Sequence, residues 1–222
     1  MPAIFVTGAG TNVGKTFVTA GLIRNLRASG RAVDALKPIV SGFDPLMPRG
    51  SDPALLLEAL GRDVTPQTLA ALSPWRFREP LSPDMAARAE GRSIVFEEVV
   101  RFCAEAVAQA PGLLLIEGVG GVMVPIGERR TLLDVMTRLR LPLILVGGSY
   151  LGAINHLLTA EDVLRSRGLD LRAIVVSESQ DSVVGLGATE ATLADFVTAP
   201  LLALRRGGGQ NERAFARLSD LL

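Results

Sequence analysis

Lysine is almost missing from this chain of 222 residues: of its 23 basic residues, 21 are arginine and only Lys15 and Lys37 are lysine. GC-rich codon usage accounts for the arginines but not for the two exceptions. A lysine ammonium is a compact point charge where an arginine is a planar fork, so the two do not substitute for one another at a phosphate or a reaction centre. Both lysines are therefore candidates for function. Cysteine occurs once, as Cys103, which excludes an intramolecular disulfide and a cysteine-based zinc cluster. Its place on the apolar side of a predicted helix makes it a core residue. The single histidine, His156, is expected to be structural, buried or capping. Neither sign of charge is in excess, with 23 basic and 23 acidic residues, which argues against a basic field built for nucleic acid. No apolar run reaches the roughly 18 residues of a membrane span. The start, Met1 to Val6, has no basic region before its apolar run, so no signal peptide is expected. The expectation is a soluble, cytoplasmic protein with neither nucleic acid nor membrane as partner.

What is present is an alternation of strand-like and helical stretches. Ala3–Thr7, Ala32–Val40, Leu113–Ile116, Leu141–Val146 and Leu171–Val176 read as strands, and the continuous apolar runs among them suit strands buried on both faces. Thr16–Ser29, Val95–Ala110 and Gly152–Arg167 carry helical periodicity. The pattern predicts an α/β fold, a parallel central sheet with helices on both faces, as one domain over residues 1–222. Ligands of such sheets bind beyond the carboxyl ends of the strands. Ser41–Pro53, rich in Gly, Pro and Asp, reads as a long functional loop, and Arg205–Gln210 as a flexible one.

The first strand runs into Gly8-Ala9-Gly10-Thr11-Asn12-Val13-Gly14-Lys15-Thr16 and then a helix. The phosphate-binding pattern G-x-x-x-x-G-K-[ST] is met here with Ala9 at its first position. Glycines let backbone N–H groups turn toward an anion, and the helix N-terminus adds partial positive charge. Lys15 would reach the β- and γ-phosphates, and the Thr16 hydroxyl would ligate Mg²⁺. Such an ion needs further oxygen ligands, and Glu117, directly after Leu113–Ile116, fits that role. Asp52 is a second candidate ligand, with an alternative role as N-cap of a helix over Pro53–Leu60.

Taken together, Gly8–Thr16, the segment Lys37-Pro38-Ile39-Val40-Ser41-Gly42, Ser51-Asp52, Glu79-Pro80-Leu81-Ser82-Pro83, Glu117-Gly118-Val119-Gly120-Gly121 and Leu151-Gly152-Ala153-Ile154-Asn155-His156 closely resemble the dethiobiotin synthetase family, in order and over about four-fifths of the chain. The resemblance implies a P-loop NTPase fold and an ATP- and Mg²⁺-dependent cyclo-ligase of biotin biosynthesis, which closes a cyclic urea from CO₂ and 7,8-diaminononanoate. An amine takes up CO₂ as a carbamate, the carbamate attacks the γ-phosphoryl group, and the second amine displaces phosphate from the mixed anhydride. It further implies a homodimer with substrate near the interface. Lys37, Lys15 and Thr11 are then the catalytic candidates. Asn12, Val13, Gly14, Lys15, Thr16, Phe17, Asp52, Glu117, Gly118, Val119, Gly120 and Ser177 are expected to surround the nucleotide, and Thr16, Asp52 and Glu117 to hold the Mg²⁺. Thr11, Lys37, Ser41, Tyr150, Leu151, Gly152, Ala153 and Asn155 are expected to bind the substrate. The free N–H groups that open the helix after Leu151 suit its carboxylate.

The sequence departs from the family where the base is read. The position after Val176, commonly asparagine, is Ser177, followed by Glu178. The usual Ile-Pro pair after the Pro200-Leu201-Leu202 run is replaced by Ala203-Leu204-Arg205-Arg206. The competing reading is a switch ATPase of the partitioning or site-selection kind. Those carry an additional loop lysine that would fall at Gly10. A corrinoid amidotransferase would need a glutaminase domain and a nucleophilic cysteine, and a non-catalytic binding module would not need the intact Lys15, Thr16 and Glu117.

Overall fold

The computed structural model describes residues 3–180, 182–207 and 211–222. Its centre is β1 (Ala3–Gly8), buried along its whole length. On one side β1 pairs in parallel with β5 (Leu113–Glu117), which pairs with β2 (Val33–Leu36). On the other side it pairs with β8 (Leu143–Gly147), followed by β9 (Leu171–Ser177) and β10 (Leu201–Leu204), again all parallel. The order is thus β10-β9-β8-β1-β5-β2.

Side chains alternate across this sheet, as a strand requires. Phe5, Leu114, Ile116, Leu143, Leu145 and Ile174 face one layer of helices. It consists of α5 (Phe96–Gln109), α6 (Leu132–Leu139) and α7 (Ala153–Ser166), which contribute Val99, Cys103, Met136, Leu157 and Leu164. Ile4, Val6, Leu115, Ile144, Val146 and Val175 face the other layer. There α1 (Lys15–Ala28), α2 (Asp52–Ala59) and α9 (Glu212–Asp220) bring Val18, Leu22, Leu26, Leu56, Phe215 and Leu218. Cys103 is fully buried in the first layer, which pushes its thiol up to about 12 and leaves it an inert core residue.

Two elements differ from the sequence reading. Ala32–Val40 is not one strand. It divides at Lys37-Pro38 into β2 of the main sheet and β3 (Ile39–Ser41), which pairs with β4 (Trp75–Phe77) in a separate two-stranded sheet. Proline has no N–H to give a central ladder and restricts the residue before it, so the chain leaves the sheet there. The turn is secured by Lys37 N–H donating to Leu72 O at 3.1 Å, Trp75 N–H to Pro38 O at 3.1 Å, and the Ser73 hydroxyl to Lys37 O at 2.5 Å. Secondly, α2 is capped by Ser51, whose hydroxyl accepts from Ala54 N–H, so Asp52 is its first helical residue and not its cap. The glycine run expected to be flexible, Arg205–Gln210, lies outside the described residues at 208–210. The remaining short elements are α3 (Pro66–Leu72), α4 (Pro83–Ala89), the antiparallel pair β6 (Pro125–Gly127) and β7 (Arg130–Thr131), and α8 (Leu186–Ala194).

Candidate active site

The carboxyl ends of β1, β5 and β2 converge on one cleft. Beyond β1 the chain turns through Asn12, at φ 57°, and Gly14, at φ 94°, before entering α1. Left-handed positions of this kind turn successive N–H groups inward. Gly14 has a second reason to be glycine: a Cβ there would lie 2.5 Å from the Ser177 hydroxyl. No side chain caps α1 and no acidic residue stands in its first turn, so its amino end offers an unopposed positive pole. The loop rests on its neighbours through Ala9 N–H to Val146 O at 2.8 Å and Val122 N–H to Gly8 O at 3.0 Å. A Cβ on Gly121 would meet Gly10 Cα at 3.3 Å, so the phosphate loop and the loop after Glu117 pack backbone against backbone.

The charged groups form one network. Lys15 is buried, and its ammonium donates to Gly10 O at 2.8 Å. Burial, reinforced by the nearby Lys37, lowers its pKa to about 8. Lys37, 3% exposed at the end of β2, pairs with Glu117 Oε1 and lies 3.0 Å from Asp52 Oδ2. Burial works against its charge, but Glu117 and Asp52 outweigh it and hold its pKa above the usual lysine value. The Thr16 hydroxyl donates to the same Glu117 Oε1 at 2.6 Å. Asp52 is also desolvated, yet Lys37 and Thr16 draw its pKa below the ordinary aspartate value. Its contribution to stability is therefore present above that ordinary value and is lost only as pH falls through the depressed one.

A cleft of about 630 Å³ opens over these groups, lined by Thr11, Asn12, Gly14, Lys15, Thr16, Phe17, Lys37, Asp52, Gly120 and Tyr150. Ser179, Gln180 and Arg206 complete its wall. Sequence reading missed Ser179 and Gln180, although the rule that ligands lie beyond strand carboxyl ends points to the segment after β9. Ser179 is fixed by reciprocal bonds with Ser149: Ser149 N–H donates to Ser179 Oγ at 2.9 Å and Ser179 N–H to Ser149 Oγ at 3.0 Å. Ser177 does not line this cleft; it is buried beneath Gly14. Val13 and Val119 are buried in the two different core layers, and Gly118 packs against Leu132 and Phe5. These support the site from below. Ser41 ends β3 outside the cleft's lining.

The residues opening α7 stand apart. Leu151 is 80% exposed, Gly152 has φ 96°, and Ala153 is buried. Asn155 and His156 border a second cleft of about 360 Å³ with Ala9, Gly121 and Met123. His156 is neither buried nor a cap. It lies exposed on the first turn of α7, its Nδ1 2.8 Å from the Tyr150 hydroxyl. The expectation of a buried or capping histidine fails because Asn155 and His156 occupy the solvent side of a helix whose packing face is Ala153, Leu157, Ala160 and Leu164.

Thr16, Asp52 and Glu117 are hard oxygen donors at one point of the cleft, and Glu117 Oε2 is buried without a hydrogen-bond partner among the described residues. Among those residues no group of three or more His, Cys, Asp and Glu side chains is arranged to hold a metal. That donor set fits Mg²⁺, which keeps waters and takes phosphate oxygens alongside one or two carboxylates. It does not fit a metal that needs a full protein cage.

A parallel α/β sheet with a glycine-bounded phosphate loop, its lysine and threonine, and a carboxylate after a neighbouring strand defines a P-loop nucleotide-binding protein. A family model described as an AAA domain matches residues 2–204. The ATP-dependent dethiobiotin synthetase BioD of Methylobacterium nodulans is 50% identical over 214 residues, covering 94% of this chain and 95% of that protein. Its counterpart in Legionella pneumophila (strain Corby) is 35% identical over 210 residues, 95% of this chain and 96% of that one. The chain belongs to the dethiobiotin synthetase family, a family of ATP-dependent ligases. Solved structures that it resembles include the cell division ATPase MinD of Pyrococcus furiosus, with TM-score 0.55, 17% identity and coverage of 100% of this chain and 98% of that one. A ParA family ATPase of Chlorobium tepidum gives TM-score 0.54 at 13% identity, covering 100% and 92%. At those identities the likeness is one of fold. No helix among the described residues is long and apolar enough to cross a membrane.

Proposed function

We propose that this protein, acting as a single unit over residues 1–222, joins CO₂ to 7,8-diaminononanoate with ATP to give dethiobiotin, ADP and phosphate. The observation that carries the reading is the convergence of the chain's two lysines with Thr16 and Asp52 in one cleft over a phosphate loop, with Glu117 buried beneath it against Lys37 and Thr16. Phosphoryl transfer depends mainly on positioning and on neutralising the transferred group, and this is what the cleft is equipped to do. The N–H groups opening α1 and the Lys15 ammonium bind the phosphates. Thr16, Asp52 and Glu117 would hold Mg²⁺, which supplies charge neutralisation between the β- and γ-phosphates. Lys37 stabilises the carbamate and the charge that develops on the γ-phosphoryl oxygens. Thr11, exposed at the rim, offers its hydroxyl to the carbamate or to an amine. Ser41, which ends β3 beyond the cleft's lining, would offer its hydroxyl to the carbamate or a diamine nitrogen of a substrate reaching past the cleft, and Tyr150 would contact the substrate from the cleft's lining. The opening of α7, uncapped by any side chain, with Leu151, Gly152 and Asn155 exposed and Ala153 buried behind them, suits a substrate carboxylate held across a homodimer.

The test is phosphate release with ATP, Mg²⁺ and bicarbonate, with and without the diamine, while dethiobiotin is followed by mass spectrometry. Product that requires both the diamine and CO₂ is expected. Phosphate release indifferent to the diamine would favour the switch-ATPase reading instead.

Two further outcomes are expected. ATP binding near pH 8 should take up a proton, because phosphate restores to Lys15 the charge that burial disfavours; affinity should fall as pH rises above about 8. Calorimetry in two buffers of different ionisation enthalpy measures the uptake, and equal heats would contradict it. The base end of the cleft has Ser179, Gln180 and Arg206 on its wall and a buried Ser177. Turnover with ATP, GTP and CTP is accordingly expected to differ little, and an ATP preference above about a hundredfold would refute this, that ratio being worth roughly 2.7 kcal/mol.

A further inference from the structure

Lys37 stands against the carboxylates proposed to hold the metal ion. Its ammonium bridges Glu117 Oε1 and Asp52 Oδ2, the same two carboxylates that would hold Mg²⁺. Thr16 is engaged in the same way: its hydroxyl donates its proton to Glu117 Oε1 at 2.6 Å, whereas as a metal ligand it would present a lone pair. Mg²⁺ takes oxygen ligands at about 2.0–2.1 Å. An ammonium and a dication against the same carboxylate pair at such distances repel each other, even where the unpartnered Glu117 Oε2 offers the metal a second oxygen. Glu117 is also fully buried, and a buried carboxylate without a countercharge is costly. In its ionised form Glu117 therefore needs a positive group beside it.

We propose that Lys37 is a placeholder cation: it holds Glu117 and Asp52 before the metal arrives, and metal binding expels its ammonium from the carboxylates toward the terminal phosphate. One positive group replaces another, so Glu117 is never left bare. The lysine is thereby released to the reacting groups. This inference rests on the metal site of the proposed function, but its test does not depend on turnover.

The sequence supplies the probe, because Lys15 and Lys37 are its only lysines. Protein labelled with ¹³C and ¹⁵N in lysine gives two side-chain amine signals, and Lys37→Met assigns them by deleting one. The labelled wild-type protein is titrated with MgCl₂ alone, and then with MgCl₂ and a non-hydrolysable ATP analogue, while calorimetry follows metal binding. The expected result is that the Lys37 Nζ protons, slow to exchange while paired, exchange rapidly with water as metal saturates. In parallel, Mn²⁺ followed by electron paramagnetic resonance should bind nucleotide-free Lys37→Met at least tenfold more tightly than wild type. Saturating metal with an unmoved, slowly exchanging Lys37 signal overturns the inference while leaving the metal site intact. No metal binding in either titration overturns both, and dethiobiotin formation would still judge the reaction separately. If Lys37→Met does not fold, the Lys37 signal is assigned with Lys15→Arg and the wild-type titration decides alone.

Discussion

Lys37→Ala is expected to lower the rate of dethiobiotin formation about a thousandfold, equivalent to ~4 kcal/mol of lost transition-state stabilisation. Metal-free nucleotide binding should stay within about threefold of wild type. The separation follows from position. Lys37 closes β2 and lines the cleft, whereas the phosphate contacts proposed above come from α1 and Lys15. A group that acts on charge developing during transfer affects turnover far more than ground-state binding. Steady-state assays together with equilibrium titration of ATP make the comparison. Near-normal turnover would remove Lys37 from the mechanism, and an equal loss in both measurements would make it a binding residue.

Glu117→Gln is expected to destabilise the nucleotide-free protein by about 3 kcal/mol, near the lower end of what breaking a buried pair costs. The substitution preserves shape but leaves the Lys37 ammonium without its buried partner. Asp52 remains at 3.0 Å, yet its side chain is 46% exposed and shares its field with solvent. For a chain of this size the change corresponds to a fall in Tm of roughly 10 °C. Mg²⁺-dependent strengthening of nucleotide binding should vanish in the same variant. Denaturant midpoints at neutral pH and nucleotide titrations with and without Mg²⁺ measure the two effects. A stable variant that still responds to Mg²⁺ would exclude Glu117 from both roles.

How far the sequence is informative depends on whether the signal is local. Strand, loop, Lys15, Thr16 and helix are contiguous, so the phosphate loop and α1 are readable without any tertiary knowledge. The run Leu113–Ile116 is apolar throughout because both its faces are covered, which makes Glu117 conspicuous at its end. The division at Lys37-Pro38 is carried by one proline, and it depends on β4, thirty-odd residues later, offering β3 a partner; β-propensity alone extends the strand through it. Ser177 has a family precedent as a base-reading position, but its burial is decided by how closely β9 meets Gly14, a contact across 163 residues of chain. His156 is exposed and not buried because the phase of α7 is set by Ala153, Leu157 and Leu164, a phase that the lone residue does not reveal.

The placement of β1 also governs how this chain can fold as it is made. β1 emerges before every other strand of the main sheet, and its neighbours β5 and β8 end at residues 117 and 147. At about 5–20 residues per second of synthesis, β1 waits roughly 5–25 s for its first partner and longer for its second. No local hairpin can shelter it in the interval, since every pairing in the main sheet is parallel. The segment Ile4-Phe5-Val6, which becomes buried on both faces, thus waits longer for its partners than any later strand of the sheet. The nucleotide cleft forms only after the sheet has closed around it.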